Sequence, residues 1–192
     1  MTSFDDSNGL IPACLETDRD ARSAGVRKFV AEYSDGLGRK MGEQLRTGDK
    51  ETRARAMEAL AAASPQSLPV LTSLMEDEDW IVRYRAAEAL GLAGEQSAVE
   101  TLRAHLTDGR DHVRYMSVKS LGLLHAGAAA DGIAGRLRED ENPYVRRMAV
   151  TTLARMDEEG AAELFRRVRR TEQDPSVIAA LDEVIGEAGN HA

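Results

Sequence analysis

A short motif recurs along the chain at an almost constant interval. It is an aliphatic residue followed by glycine or alanine, and its copies are centred on Leu60, Leu90, Leu121, Leu153 and Ile185. The intervals between successive copies are 30, 31, 32 and 32 residues. A fixed period of this length is typical of repeat proteins, in which each copy is one unit that buries its apolar face against its neighbours. The chain is therefore predicted to contain about five stacked units.

Each copy contains an amphipathic helix, which we call the B helix. The residues that begin its apolar face stand eight positions before the central aliphatic residue: Thr52, Val82, Val113, Val145 and Val177. Four positions further on, the copies carry Ala56, Ala86, Ser117, Ala149 and Leu181. Residues at these spacings share one face of an α-helix. The small residues among them, with Gly91 and Gly122, predict close approach of adjacent B helices.

A second helix, A, is predicted before each B helix. Its signature is an apolar pair spaced by four residues: Met41/Leu45, Val70/Leu74, Leu102/Leu106, Ile133/Leu137 and Leu164/Val168. Short polar residues stand just before four of the B helices, where they can cap the first turn: Asp49, Asp79, Asn142 and Asp174. Asp111 is offset by one position in the third copy. Each unit is thus an A helix, a turn and a B helix.

Composition narrows the class of protein. The 192 residues are 42% hydrophobic but only 4% aromatic, which favours closely packed helices over strands. A formal net charge of -8 disfavours generic binding to nucleic acid or acidic membranes. Cys14 is the only cysteine, so an intrachain disulfide and a multi-thiolate metal site are excluded. Without a signal peptide or a membrane-spanning run of about 20 apolar residues, a soluble cytoplasmic protein is expected.

The domain organisation follows from where the periodicity begins. Residues 1–17 are weakly periodic and are predicted to form a partly flexible tail, and residues 18–34 are predicted to form a capping helix. The repeat domain is assigned to residues 35–192, with units at about 35–64, 65–94, 95–127, 128–159 and 160–189.

Three fragments carry a resemblance to a known family. Asp79 to Gly91, with the sequence DWIVRYRAAEALG, and the third-copy pattern from Asp111 to Gly122 resemble the HEAT-like repeat first defined in phycobilisome lyases. The fourth copy, beginning at Asn142-Pro143, is similar. The resemblance implies an all-α, right-handed α-solenoid of about five two-helix repeats, whose B helices line the concave side. It does not transfer a function, because one fold hosts many functions.

An arginine follows the B-helix anchor in four copies, at Arg53, Arg83, Arg114 and Arg146. These residues are expected to form a ladder along the repeats. In HEAT-like repeats such an arginine usually bonds to the turn between helices, and nearby aspartates permit this structural role here. Binding of a phosphate or carboxylate ligand is the alternative.

Residues two and six positions after the anchor are the candidates for partner binding: Tyr84, Glu88, Tyr115, Lys119, Arg147 and Thr151. They should point away from the A helices, and Trp80 stands at the edge of the same strip. Tyrosine and arginine are favoured at the energetic centres of protein interfaces. An ordinary solvated face is the alternative interpretation.

A basic group on the last A helix comprises Arg166, Arg167, Arg169 and Arg170. Glu158, Glu159, Glu163 and Glu172 surround it in sequence, so partial neutralisation is expected. An acidic partner is the alternative.

The sequence lacks recognisable catalytic motifs. The histidines, His105, His112, His125 and His191, have no metal-ligand spacing, and there is no phosphate-binding glycine loop. No cofactor and no metal are expected, and HEAT-type hydroxylases and DNA glycosylases are disfavoured. The prediction is a non-catalytic adaptor or scaffold for an unidentified protein partner. The resemblance also implies two finer possibilities, a role in prokaryotic signalling like that of archaeal chemotaxis and motility adaptors, and a bilin lyase or lyase-like subunit.

Overall fold

The computed structural model describes residues 7–156 and 160–189, which form twelve α-helices joined by turns and three short 3₁₀ helices, without a β-strand. The helices are α1 (Ser7–Cys14), α2 (Arg19–Ala31), α3 (Asp35–Thr47), α4 (Lys50–Ala62), α5 (Leu68–Leu74), α6 (Trp80–Ala93), α7 (Val99–Ala104), α8 (Asp111–Leu123), α9 (Ala130–Glu139), α10 (Pro143–Met156), α11 (Ala161–Arg169) and α12 (Pro175–Gly189). None of these described helices is long and apolar enough to cross a membrane. Glu158, Glu159 and His191 lie outside the described residues.

The twelve described helices fall into two compact units, each of which contains several repeats. The first unit extends to Ala98, and the second unit begins at Val99. In the first unit, α3 packs on α4 and α5 packs on α6, while α3 also contacts α5 and α4 contacts α6. In the second unit, α7, α9 and α11 pack on α8, α10 and α12 respectively, and α10 contacts both α8 and α12. Each unit therefore has a layer of A helices and a layer of B helices, as the two-helix repeat predicts.

The predicted repeat positions form the core. Val82, Val113, Val145 and Val177 are fully buried, as are Leu60, Leu90 and Leu121. The first anchor, Thr52, and the last aliphatic residue, Ile185, are only half-buried. Burial of apolar surface between helix layers is the main stabilising contribution in such a fold.

The predicted caps are present at the B helices. Asp49 accepts a hydrogen bond from the Thr52 amide, Asp79 from Ile81, Asn142 from Tyr144 and Asp174 from Ser176, at 2.8–2.9 Å. In the third copy the helix begins at Asp111, and its N-cap residue, Arg110, provides no side-chain hydrogen bond. The one-position offset of Asp111 therefore goes with a B helix whose N-cap residue provides no side-chain cap.

The N-terminal segment differs from the predicted tail. The first six residues lie outside the described residues, but Ser7–Cys14 forms helix α1, which packs on α2 and also contacts α3 and α4. Leu10, Ile11 and Cys14 are buried there. Burial raises the pKa of the Cys14 thiol to about 11, so the thiol is protonated at neutral pH. Three apolar residues in one short helix are too few to reveal a period, and tertiary packing decides the structure.

Small residues set the separation of neighbouring B helices, as predicted. At Gly122 in α8, a Cβ atom would lie 2.8 Å from Cγ2 of Thr152 in α10. The Thr152 side chain is itself buried.

We therefore expect Gly122→Ala to destabilise the protein by about 1–3 kcal/mol, because the added methyl group must push two packed helices apart. Gly135→Ala in α9 is the matched control, since its Cβ position has open space and alanine is the better helix former. Urea denaturation of both variants measures the difference. Equal or higher stability of the Gly122 variant would contradict this packing.

Candidate functional site

The four ladder arginines reach back to the turn that precedes their own B helix. Each donates to a backbone carbonyl: Arg53 to that of Gly48 at 2.9 Å, Arg83 to that of Asp77 at 2.7 Å, Arg114 to that of Asp108 at 2.9 Å and Arg146 to that of Asp140 at 2.7 Å. Helix C-termini leave carbonyl groups without intrahelical partners. The guanidinium groups therefore satisfy polar backbone atoms at the end of the A helix.

Three of these arginines also bind a carboxylate 26 residues further along the chain. Arg53 donates to Asp79 at 2.9 Å in the first unit. In the second unit, Arg114 forms two hydrogen bonds with Asp140 at 2.7 and 2.8 Å, and Arg146 forms two with Glu172, both at 2.8 Å. Paired guanidinium–carboxylate hydrogen bonds are among the strongest in proteins. Each one joins a B helix to the turn of the following repeat.

The same carboxylates hold the backbone of that following turn. Asp140 accepts from the Asn142 amide at 3.0 Å, and Glu172 accepts from the Asp174 amide at 2.9 Å. Asp77 and Asp108 make the equivalent hydrogen bond two residues on. The sequence analysis missed this set, although Asp77, Asp108, Asp140 and Glu172 recur every 31 or 32 residues.

Burial makes the second-unit pairs structurally important. The side chains of Arg114 and Asp140 are 7% and 0% exposed, and those of Arg146 and Glu172 are 17% and 5% exposed. Hydrogen bonding to Asp140 raises the pKa of Arg114 above its usual range, and hydrogen bonding to Arg146 lowers the pKa of Glu172. With their donors used internally, these arginines favour the structural interpretation over ligand binding.

Asp140→Asn should destabilise the protein by about 3 kcal/mol, because it leaves a buried guanidinium without its charged partner. Glu141→Gln is the matched control, because Glu141 is the next residue in the chain and its carboxylate also lies near Arg114, at 3.5 Å. The Glu141 side chain is 87% exposed, so the loss of its charge should cost less than about 0.5 kcal/mol. Thermal and urea denaturation compare the two. Similar stabilities would show that the buried pair contributes little.

The Arg146–Glu172 pair should make stability depend on pH. Because the folded state lowers the pKa of Glu172, the stabilisation is present above the unfolded value of about 4.3 and is lost as pH falls through the lower folded value. Glu172→Gln should therefore be clearly less stable than the wild type at pH 7, and this difference should shrink below about pH 4. Urea unfolding as a function of pH measures it; a constant difference would contradict the linkage.

The three candidate binding residues of the first unit lie on α6. Trp80, Tyr84 and Glu88 are all half-buried. The carboxylate of Glu88 pairs with Arg85 at 2.7 Å, and the Arg85 guanidinium lies 5.5 Å from the centre of the Tyr84 ring. Arg85 thus holds two of these side chains on the helix surface.

The other four candidates lie on adjacent B helices of the second unit. Tyr115 and Lys119 are on α8, and Arg147 and Thr151 are on α10. Thr152 of α10 lies against Gly122 and donates towards the Val118 carbonyl of α8, so residues about 32 positions apart stand at the same height. The structure therefore places Tyr115 level with Arg147 and Lys119 level with Thr151. Lys119 and Arg147 are exposed, whereas Tyr115 and Thr151 are half-buried.

Further exposed residues extend this surface. Tyr144 is 63% exposed and Leu123 is 46% exposed, and His112 and Arg155 are also exposed. They stand one position before and ten positions after the anchors of α8 and α10. The repeat alignment contained this signal, because these positions recur at the same period as the four candidates.

The basic group at α11 has fewer carboxylate partners among the described residues than the nearby glutamates in the sequence predict. Arg169 pairs with Asp182 at 2.6 Å, but Glu172 is bound to Arg146. Arg166, Arg167 and Arg170 are exposed.

Among the described residues, no group of three or more His, Cys, Asp or Glu side chains could hold a metal ion. Two open grooves of about 310 and 290 Å³ are present. The first lies between α3 and α5 and is lined by Gly42, Val70 and Leu74, among others. The second includes Arg138, Arg146 and Glu172.

Comparison with protein families gives a match to HEAT repeats over residues 39–122 and 99–186. The chain belongs to the HEAT-repeat family. This confirms the resemblance inferred from the repeated sequence motif. No curated protein matches the chain.

Solved structures show the same fold at low sequence identity. A chain from the complex of CpcE and CpcF of phycocyanin lyase from Nostoc sp. PCC7120 is 16% identical, with a TM-score of 0.72 over 79% of this chain and 99% of that one. A computationally designed armadillo repeat protein for modular peptide recognition is also 16% identical, with a TM-score of 0.53 over 93% and 98% of the two chains. The predicted all-α solenoid class is thereby confirmed, and HEAT and armadillo repeats are general scaffolds for protein interaction.

Proposed function

We propose that this HEAT-repeat protein is a non-catalytic adaptor that binds a partner protein through the exposed faces of its B helices. The contact residues proposed in the second unit are Tyr115, Lys119, Arg147 and Thr151. In the first unit they are Trp80, Tyr84 and Glu88. The four ladder arginines have a structural role in this proposal, with their donors directed into the turns.

The observation that carries the proposal is the difference between the inward and the outward side chains of α8 and α10. Their inward positions are buried aliphatic or small residues, and their anchor-following arginines are tied to the turns. Among the outward positions are Arg147, Lys119 and two tyrosines, Tyr115 and Tyr144, none of which belongs to the buried apolar core. Tyrosine and arginine are enriched where interfaces derive most of their binding energy.

The proposed setting is the cytoplasm, because a single cysteine, which cannot form an intrachain disulfide, is compatible with a reducing compartment. A role in prokaryotic signalling, like that of the archaeal chemotaxis and motility adaptors of this repeat type, is the finer form of the proposal. It is supported by the resemblance of the repeats.

The test is co-purification from the native host with identification by mass spectrometry. The triple variant Tyr84→Ala, Tyr115→Ala, Arg147→Ala should lose most of the partner recovered by the wild type, about tenfold or more, because it removes three favoured interface side chains. The double variant Arg166→Ala, Arg167→Ala on the A-helix layer is the matched surface control and should retain it. Unchanged recovery by a triple variant with normal circular dichroism would refute this binding face.

A second candidate function is a bilin lyase or lyase-like subunit. The similarity to a chain of the phycocyanin lyase complex favours it, although at 16% identity that similarity concerns the fold. The two grooves, at about 310 and 290 Å³, are at the small end of the range for ligand pockets.

Incubation with phycocyanobilin distinguishes the two functions. An adaptor should leave the visible absorbance spectrum of the bilin unchanged at equimolar and tenfold excess protein, with serum albumin as the nonspecific control. A red shift and intensity gain greater than that caused by albumin would favour the lyase-like function.

A further inference from the structure

The exposed surface of the second-unit B helices is cationic, although the chain as a whole is acidic. After Asp111 at the first residue of α8, neither α8 nor α10 contains an acidic residue. Their other charged residues are five cations, Arg114, Lys119, Arg146, Arg147 and Arg155. The formal net charge of the whole chain is -8.

Two of the five cations are committed to the turns, and three are not. Arg114 and Arg146 are bound to Asp140 and Glu172. Lys119, Arg147 and Arg155 are exposed, and none lies within 4 Å of a carboxylate in the part of the chain that the structure describes. The first unit differs, because Arg55 and Arg85 on its B helices pair with Glu51 and Glu88.

The three cations are spaced regularly along the two helices. Since Lys119 stands level with Thr151, it lies one turn beyond Arg147, and Arg155 lies two turns beyond Arg147. At a rise of about 1.5 Å per residue, the successive heights differ by about 6 Å. Carboxylates four residues apart on one face of a helix have the same axial spacing.

The strip has a defined edge at the next B helix. On α12, the positions equivalent to Arg147 and Thr151 are Ala179 and Glu183, and both are exposed. Asp182 beside them is paired with Arg169 at 2.6 Å. A long polyanion such as duplex DNA would meet the Glu183 carboxylate, whereas a short acidic segment fits on α8 and α10 alone.

We propose that the second unit recognises an acidic helical segment of its partner protein. Lys119, Arg147 and Arg155 pair with carboxylates on successive turns of that segment, and half-buried Tyr115, level with Arg147, contacts its apolar side chains. This inference rests on the proposed adaptor function and specifies the chemistry of the partner. Complementary charge of this kind contributes mainly to specificity and association rate.

The test is selection from a displayed library of helical peptides of about 16 residues, with Glu, Gln or Lys equally represented at the exposed positions. The full chain is the bait. Selection should enrich glutamate at positions four residues apart. The selected peptides should bind about tenfold more weakly to Lys119→Glu, Arg147→Glu, because the variant places like charges opposite one another.

The control is Arg166→Glu, Arg167→Glu, which makes the same change in net charge on α11 and should alter affinity by less than about twofold. Failure to enrich glutamate, an equal loss in the control, or stronger competition by duplex DNA than by free peptide would overturn the proposal. The two proposals fail separately. A co-purified partner that is lost from the Tyr84, Tyr115, Arg147 triple variant but binds Lys119→Glu, Arg147→Glu normally would preserve the adaptor function and refute the acidic segment.

Discussion

In the arginine ladder, the hydrogen bonds of one guanidinium group connect three segments of the chain: a B helix, the turn before it and the turn of the following repeat. Arg114 lies on a B helix, donates to the carbonyl of Asp108 in its own turn and binds the carboxylate of Asp140 in the next turn. Asp140 in turn accepts from a backbone amide at the start of the next B helix. Since the guanidinium is planar and its donors are fixed in direction, this geometry specifies the register between repeats as well as stabilising them. Apolar packing alone is tolerant of small shifts, so the ladder supplies the precision that the aliphatic core lacks.

The repeat period allowed much of the fold to be predicted from the sequence. Aliphatic anchors such as Val113 and Leu121 are buried because their spacing matches one helix face, and that spacing is a local property of the sequence. Helix α1 could not be predicted in this way, because its burial depends on contacts with α2, α3 and α4. The carboxylates that accept from the ladder are an intermediate case. Asp140 and Glu172 occupy the same position in successive repeats, but the residue type changes in the last copy and their partners are 26 residues away, so local sequence does not identify them.

The candidate site shows a related limit, since proximity in sequence is a poor guide to which charges neutralise one another. Glu172 is close in sequence to Arg169 and Arg170, but in the structure its two oxygens bind Arg146 on α10. The acidic net charge likewise hides a cationic strip, because Asp140 and Glu172 are bound to Arg114 and Arg146 in the turns, and no described carboxylate lies within 4 Å of Lys119, Arg147 or Arg155. The positions of the binding candidates could be predicted from the repeat register. Their state of charge pairing needed the three-dimensional structure.

Arg146 and Arg147 show why position on the helix decides function more than residue type does. They are consecutive arginines, but an α-helix turns about 100° per residue. Arg146 therefore points into the turns and is held by Glu172, whereas Arg147 points outward and is exposed. Exchange of these two roles would require a one-residue change of register, which would also expose Val145 and disrupt the core. The repeat thus places a structural cation and an exposed cation at consecutive positions. A substitution on the outward face can therefore leave intact the inward contacts that preserve the fold.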